Sequence, residues 1–492
     1  MSDIQNKTKN QNNQNIISTS YDLAVLLHSM YKDQFVCASI KNKTWYEFQN
    51  HRWAEIDGAC GLYRKISIEL IQEFNKTISF IKDIQDNETQ ISMMKEAGAV
   101  IKKLKSTSFK RSIIEESMHL FYDKDFIDNL DENRDLICFN NGVYDLSKMK
   151  FRDGVKEDYL SLCTNTDYKP YDPKDKSIEE LNKYFEQVFI EEDMREYVKL
   201  LLCSYIQGHT PDEKFHIWTG TGANSKSKLI ELFSSCLGDY AGIFPVSLLT
   251  QKRSACGVAS PEMAKAKGKR FMTFSEAEEG DQIRVGLMKE LTGGDLITAR
   301  PLFKEPIEFK PQFKLLLTCN KLPHIPSSDG GTWRRLRVVP FKSKFTSKPD
   351  PTKKNEFKID TNLSKRFQIW KETLMSLLIH KFPDYKRFGI TEPSEVLKYT
   401  NKYKADTDLN FQFMEDNIEK TENKNDFINM NELFATYRIW FKESGMTSKP
   451  QGRKQFKEYF MENYTDNTKR NHLYGFKFIN DDNNQLSNDL DS

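Results

Sequence analysis

The chain has 492 residues, with 73 Lys and Arg against 71 Asp and Glu and a net charge of +2. That length exceeds one ordinary domain, so several cores are expected, and the near-neutral balance excludes a uniformly basic coat while leaving room for a local basic face or channel. No apolar run approaches a membrane span and no basic-apolar leader appears, so a soluble, cytoplasmic protein that is neither secreted nor membrane-bound is expected.

Residues 1–18 and 481–492 carry little to bury and read as disordered tails. Apolar spacing over Leu62–Ile81 and Ile91–Leu104 predicts amphipathic helices, so the unit spanning 19–175 is expected to be largely helical. It closes with a hairpin, Leu136 to Leu146, turning at Asn141-Gly142, and a proline-bearing connector, Tyr168 to Pro173. A helical stretch from Ser177 to Gln207 leads into a strand at Phe215–Trp218. Across 176–345, helices then alternate with β-rich runs at Phe271–Phe274, Lys314–Thr318 and Leu336–Phe341, the pattern of an α/β domain. A helical connector, 346–406, precedes a C-terminal unit, 407–480. There Met430–Phe441 and Arg453–Tyr464 read as helices and Tyr474–Ile479 as a strand, an order that suits a winged helix with Arg453, Lys454 and Lys457 facing outward. The eight cysteines form no C-x-x-C pair, which points to reduced, buried thiols.

The segment Phe215-His-Ile-Trp-Thr-Gly-Thr-Gly-Ala-Asn-Ser-Lys-Ser reads as a strand, a glycine turn and a helix start. Gly220, Lys226 and Ser227 fit G-x-x-x-x-G-K-[ST], with Ser225 where the second glycine is expected. In such a loop Gly220, Thr221, Gly222, Ala223, Asn224 and Ser225 offer backbone N–H groups to phosphates, Lys226 reaches the β/γ oxygens and Ser227 ligates Mg²⁺. The following helix has Leu229, Leu232, Phe233 and Cys236 on one face and Gly238 as its C-cap.

An NTPase also needs acids at the end of a neighbouring strand to hold the metal and polarise water. Glu276, Glu278 and Glu279 follow the run Phe271–Phe274. Phe313 to Asn320 reads as a buried strand ending in an amide placed to sense the γ-phosphate. Arg334 and Arg335 precede the next strand, where one could complete an adjacent subunit's site as an arginine finger. Between acid and amide, Leu296 to Phe309 reads as a hairpin with Arg300 on one arm and Phe303 and Lys304 at its tip, able to meet a phosphate backbone and stack on bases.

The ordered set G-T-G-A-N-S-K-S, E-A-E-E, K-E-L-T-G-G-D, T-C-N and W-R-R resembles superfamily 3 helicases, specifically the helicase part of poxvirus-type primase–helicases of large DNA viruses and some phages and plasmids. The match is specific over about Gly220 to Phe345. Phe139 to Leu146 with Arg152 is similar to that family's helicase-associated N-terminal domain, and the C-terminal unit to its winged-helix region. The resemblance implies an AAA+-type P-loop ATPase core that forms a homohexameric ring, uses ATP and Mg²⁺, and moves 3′ to 5′ on single-stranded or forked DNA, alongside a primase or other replication proteins. It assigns Lys226 and Ser227 to phosphate and Mg²⁺, Glu276 with Glu278 or Glu279 to metal and water, and Asn320 to sensing. Arg335, ahead of Arg334, becomes the finger, and Lys304, supported by Arg300 and Phe303, the moving DNA contact. Two departures stand out: Ser225 replaces a glycine, and Ala277 separates Glu276 from Glu278. No β-run ending in Asp-x-Asp appears upstream, so no primase site is expected here. A nucleotide-binding, DNA-binding scaffold or loader with little hydrolysis is the main rival reading, and a P-loop kinase a third.

Overall fold

The computed structural model describes residues 18–81, 87–251, 259–274, 276, 281–302, 305–325, 330–421, 423, 425–444 and 450–479. The chain begins with a helix, Ser20–Tyr31, whose N-cap Thr19 hydroxyl accepts the Asp22 N–H at 3.1 Å. An antiparallel meander follows: β1 (Phe35–Ser39), β2 (Thr44–Gln49) and β3 (Arg52–Ile56). The sequence reading did not include this meander, although the helices it expected over Leu62–Ile81 and Ile91–Leu104 do form. The β2–β3 turn is Asn50-His51, both left-handed at φ 49° and 66°, a hairpin geometry usually betrayed by Asn-Gly. Helices through Cys60–Ile81, then Asn87–Leu104 and Thr107–Leu120, pack Leu62, Leu70, Val100 and Ile113 against Phe35 and Trp45.

The Asn141-Gly142 hairpin forms as read, pairing β4 (Leu136–Phe139) with β5 (Gly142–Asp145), and β6 (Lys150–Arg152) extends it. Gly142 is needed for space, because a Cβ there would sit 2.6 Å from the Phe151 ring and 2.7 Å from the Arg152 carbonyl. Helices Lys176–Val188 and Glu192–Ser204 then lead to the central sheet.

That sheet has five parallel strands: β7 (Phe215–Thr219), β8 (Ala241–Phe244), β9 (Phe271–Phe274), β12 (Lys314–Cys319) and β13 (Leu336–Pro340), in the order β13-β7-β12-β9-β8. Between β9 and β12 lies the antiparallel pair β10 (Ile297–Ala299) and β11 (Ile307–Phe309). Both sheet faces are covered, as parallel strands require. Phe215 and Ile217 face one core with Leu315, Leu317 and Met288, while Trp218 faces the other with Leu229, Phe233 and Leu374. The second core is closed by a long helix, Leu363–Phe388, packed on the helices 176–188, 192–204 and 226–237.

The C-terminal unit has its own cluster around Phe413, Leu433, Tyr437, Phe456 and Phe460. The expected strand Tyr474–Ile479 is two strands, His472–Tyr474 and Phe476–Phe478, which pair with different partners. Gly475, at φ 76°, turns the chain between them. The seven cysteines among the described residues are free thiols, and among those residues no helix is long and apolar enough to cross a membrane.

Candidate functional site

Strand order decides what meets at the C-terminal edge of the sheet. β7 and β9 flank β12, so the residues that follow them, Gly220, Asn320 and Glu276, emerge side by side. Parallel sheets bind ligands in the crevice beyond these strand ends. Here the edge opens into a cleft of about 620 Å³ lined by the loop from Gly222 to Lys228, Glu276 and Asn320. The loop runs into the helix Lys226–Leu237, whose first N–H groups and positive dipole end face the cleft.

Two loop positions explain the sequence pattern. Gly220 has no room for a side chain, since a Cβ would lie 2.3 Å from Asn224 Nδ2 and 2.5 Å from the Phe341 carbonyl. Ser225 is the helix N-cap and is left-handed, φ 70° and ψ 8°, the region that favours glycine. Its hydroxyl shares a 2.9 Å hydrogen bond with Tyr184 Oη from the 176–188 helix. Asn224 is buried and accepts the Lys226 N–H at 3.4 Å, Gly222 donates to the Gly220 carbonyl at 3.0 Å, and Phe345 N–H fastens the Ala223 carbonyl at 2.7 Å. Ser227 is exposed on the cleft wall, while Thr221 is exposed but outside the cleft lining.

Lys226 is 6% exposed, and its ammonium donates to the Gly220 carbonyl at 2.8 Å and the Asn320 side-chain oxygen at 3.2 Å. Burial pushes its pKa below the ordinary lysine value, opposed by nearby Cys319 and Glu276. Glu276 accepts the Asn320 N–H at 3.2 Å. Among the described residues no carboxylate is within ion-pair distance of Lys226, so a desolvated cation faces the cleft with only neutral oxygens as partners. That arrangement suits an anion. Among the described residues no group of three or more His, Cys, Asp or Glu could hold a metal ion. The hard oxygens of Ser227 and Glu276 beside the cleft fit Mg²⁺ only in company with ligand phosphates, which is how that ion is usually held.

The other candidate residues lie elsewhere. Arg335 precedes β13 and accepts the Phe215 N–H through its carbonyl, placing it at the N-terminal edge of the sheet, opposite the cleft. Its side chain is 12% exposed and bonds Glu213 at 2.7 Å, whereas Arg334 is 63% exposed and reaches the same carboxylate at 2.9 Å. Arg300 is exposed at the end of β10, with its backbone paired to Ser260. Glu278, Glu279, Phe303 and Lys304 lie outside the described residues.

A family profile described as D5 N terminal like matches residues 24–190, and one for a family of unknown function matches 218–335. A candidate helicase of Acanthamoeba polyphaga mimivirus, L207/L206, is 39% identical over 96% of this chain and 51% of its own length. The chain belongs to the D5-type primase–helicase family of large DNA viruses. Within that family, candidate helicase 121R of Invertebrate iridescent virus 3 is 28% identical over 87% of this chain and 50% of its own. A candidate primase of African swine fever virus, C962R, is 24% identical over 86% of this chain and 47% of its own. The chain thus spans about half the length of these D5-type relatives. Sequence reasoning missed Tyr184 and Phe345, which brace the loop, because nothing local marks them: Tyr184 has its partner 41 positions away, and the partner of Phe345, Ala223, is more distant still.

Proposed function

We propose that this chain is the ATP-driven motor of a viral DNA helicase, with an AAA+-type core that works as a ring, moves 3′ to 5′ on single-stranded or forked DNA and carries a winged-helix-like C-terminal unit. The observation that carries the reading is the buried Lys226 ammonium, held by neutral oxygens beside a helix N-terminus, with Asn320 and Glu276 delivered to the same cleft by neighbouring strands. Lys226 would bind the β- and γ-phosphates and draw developing charge toward itself. The Asn320 amide, bonded to Lys226, would orient the attacking water, and the Glu276 carboxylate would accept its proton. Ser227 and Glu276 would hold Mg²⁺, which when bound neutralises charge on the phosphate oxygens.

The test is ATP hydrolysis by the purified chain with and without single-stranded DNA, with Lys226→Ala as control. DNA-stimulated turnover well above the control is expected. Hydrolysis equal to the control sinks the motor reading, and DNA binding that survives such a result would favour a nucleotide-binding scaffold.

A further inference from the structure

A separate cavity lies at the other end of the sheet. β7 and β12 end at the Lys226 cleft, and where they begin, a recess of about 610 Å³ is bounded by the helix Glu192–Ser204. Its walls are apolar: Tyr197, Leu201 and Tyr205 from that helix and its end, Phe313 and Leu315 at the start of β12, and Ile390 from the segment after the long helix. The first five are buried, with no more than 3% of any exposed. His216 also lines the recess, and its ring is occupied by the bond to Tyr205.

The polar groups are divided by charge. On the inner side the Lys314 ammonium donates to the Gln207 carbonyl, and among the described residues it has no ion pair. Burial, reinforced by nearby Arg270, pushes its pKa well below the ordinary lysine value, with Asp212 opposing. Arg270 is 1% exposed and donates from Nη2 to the Asn133 carbonyl at 2.9 Å and the Leu136 carbonyl at 3.3 Å, while its Nε and Nη1 have no hydrogen-bond partner among the described residues. Two neighbouring desolvated cations therefore rest on neutral carbonyls alone. Buried charges are ordinarily paired, so this end of the recess is short of an anion. At the mouth most of the acids already have partners: Glu213 is held by Arg334 and Arg335, and Glu392 by Arg337. Asp212 is left exposed, with no hydrogen bond or ion pair among the described residues.

We propose that this recess is a second ligand site, one that takes a small monoanion with an apolar body, such as an aromatic or branched-chain carboxylate. The carboxylate meets the Lys314 ammonium in a charge-assisted hydrogen bond, and the apolar body fills the space between Tyr197, Leu201 and Phe313. Asp212 at the mouth sets the charge limit. Its carboxylate repels each further negative charge on a ligand, so polyphosphates are disfavoured here and left to the Lys226 cleft.

The experiment is a fluorine NMR titration of the full chain with para-fluorobenzoate, in the absence and presence of saturating ATP. Saturable binding to the wild type is expected, unchanged by ATP and unchanged in Lys226→Ala. Lys314→Met, which keeps an apolar stem and removes the charge, should weaken binding about tenfold or more, and Asp212→Asn should tighten it about threefold. Asp212 is exposed, so its variant decides the matter even if Lys314→Met fails to fold. Absence of saturable binding overturns the site, as does wild-type affinity in Asp212→Asn and in folded Lys314→Met. Displacement of the probe by ATP, or its loss in Lys226→Ala, puts the anion in the nucleotide cleft and overturns the site equally.

Discussion

Ser225 is where the loop departs from the expected pattern, and its backbone says what the departure costs. A left-handed β-carbon residue is disfavoured by about 1–2 kcal/mol, while the bond to Tyr184 returns about 0.5–1.5 kcal/mol. Ser225→Ala keeps the strain and loses the bond, whereas Ser225→Gly loses both. Chemical denaturation should therefore rank glycine above alanine by about 1 kcal/mol, and an alanine variant as stable as the glycine variant contradicts the left-handed assignment. Lys226 carries the opposite trade. Burial lowers its pKa, so the protonated side chain opposes folding at neutral pH, and the penalty shrinks as pH rises toward the ordinary lysine value. Lys226→Met should unfold at a higher denaturant concentration than the wild type when no nucleotide is present, while gaining nothing from added ATP. Equal stabilisation of both proteins by ATP would place the phosphates elsewhere.

At the scale of elements, β7 is the strand on which the site depends, and it buries a histidine. His216 shares a 2.9 Å hydrogen bond with Tyr205, and burial, reinforced by Arg337 and Lys214, lowers its pKa to about 3. The folded state therefore keeps it neutral while the unfolded chain protonates near pH 6.5. Its contribution is complete above about 6.5 and is lost as pH falls toward 3, at about 1.4 kcal/mol per unit across that window. Urea midpoints between pH 7 and pH 4 should fall steeply for the wild type and less steeply for His216→Gln; parallel profiles would remove the histidine from the account. The helix Leu363–Phe388 is equally integral. Its Leu378 is fully buried, so Leu378→Ala should cost about 2–5 kcal/mol by the same assay. How much of this was legible depends on range. The strand, glycine turn and helix start at Phe215–Ser227 were readable because close backbone approach and phosphate chemistry leave a local signature. The Asn141-Gly142 hairpin was readable for a similar reason. The β1–β3 meander hid because its tight turn uses Asn50-His51, and Tyr184 and Phe345 hid because their contacts with the loop exist only after folding.

For the whole molecule, the sheet sets a limit on what one copy can do. The loop leaves the C-terminal end of β7, while Arg334 and Arg335 stand at the N-terminal end of the neighbouring β13, on Glu213. Neither arginine can reach a phosphate on its own chain's loop without crossing the sheet. If either stabilises the transition state, it does so on the nucleotide of an adjacent copy, through a head-to-tail contact of the kind that closes into a ring. Arg334, with most of its side chain exposed, is better placed for this than the half-buried Arg335, whose loss would mainly strip Glu213 of a partner. A mixing experiment separates the two roles. Lys226→Ala supplies intact arginines and Arg334→Ala supplies intact loops, so each variant alone should be nearly inactive. In a one-to-one mixture about one interface in four joins a good loop to a good arginine, and ATPase activity should return in that proportion. Activity retained by Arg334→Ala alone would remove that arginine from hydrolysis, and a mixture of two inactive variants no more active than its components would remove its action across copies.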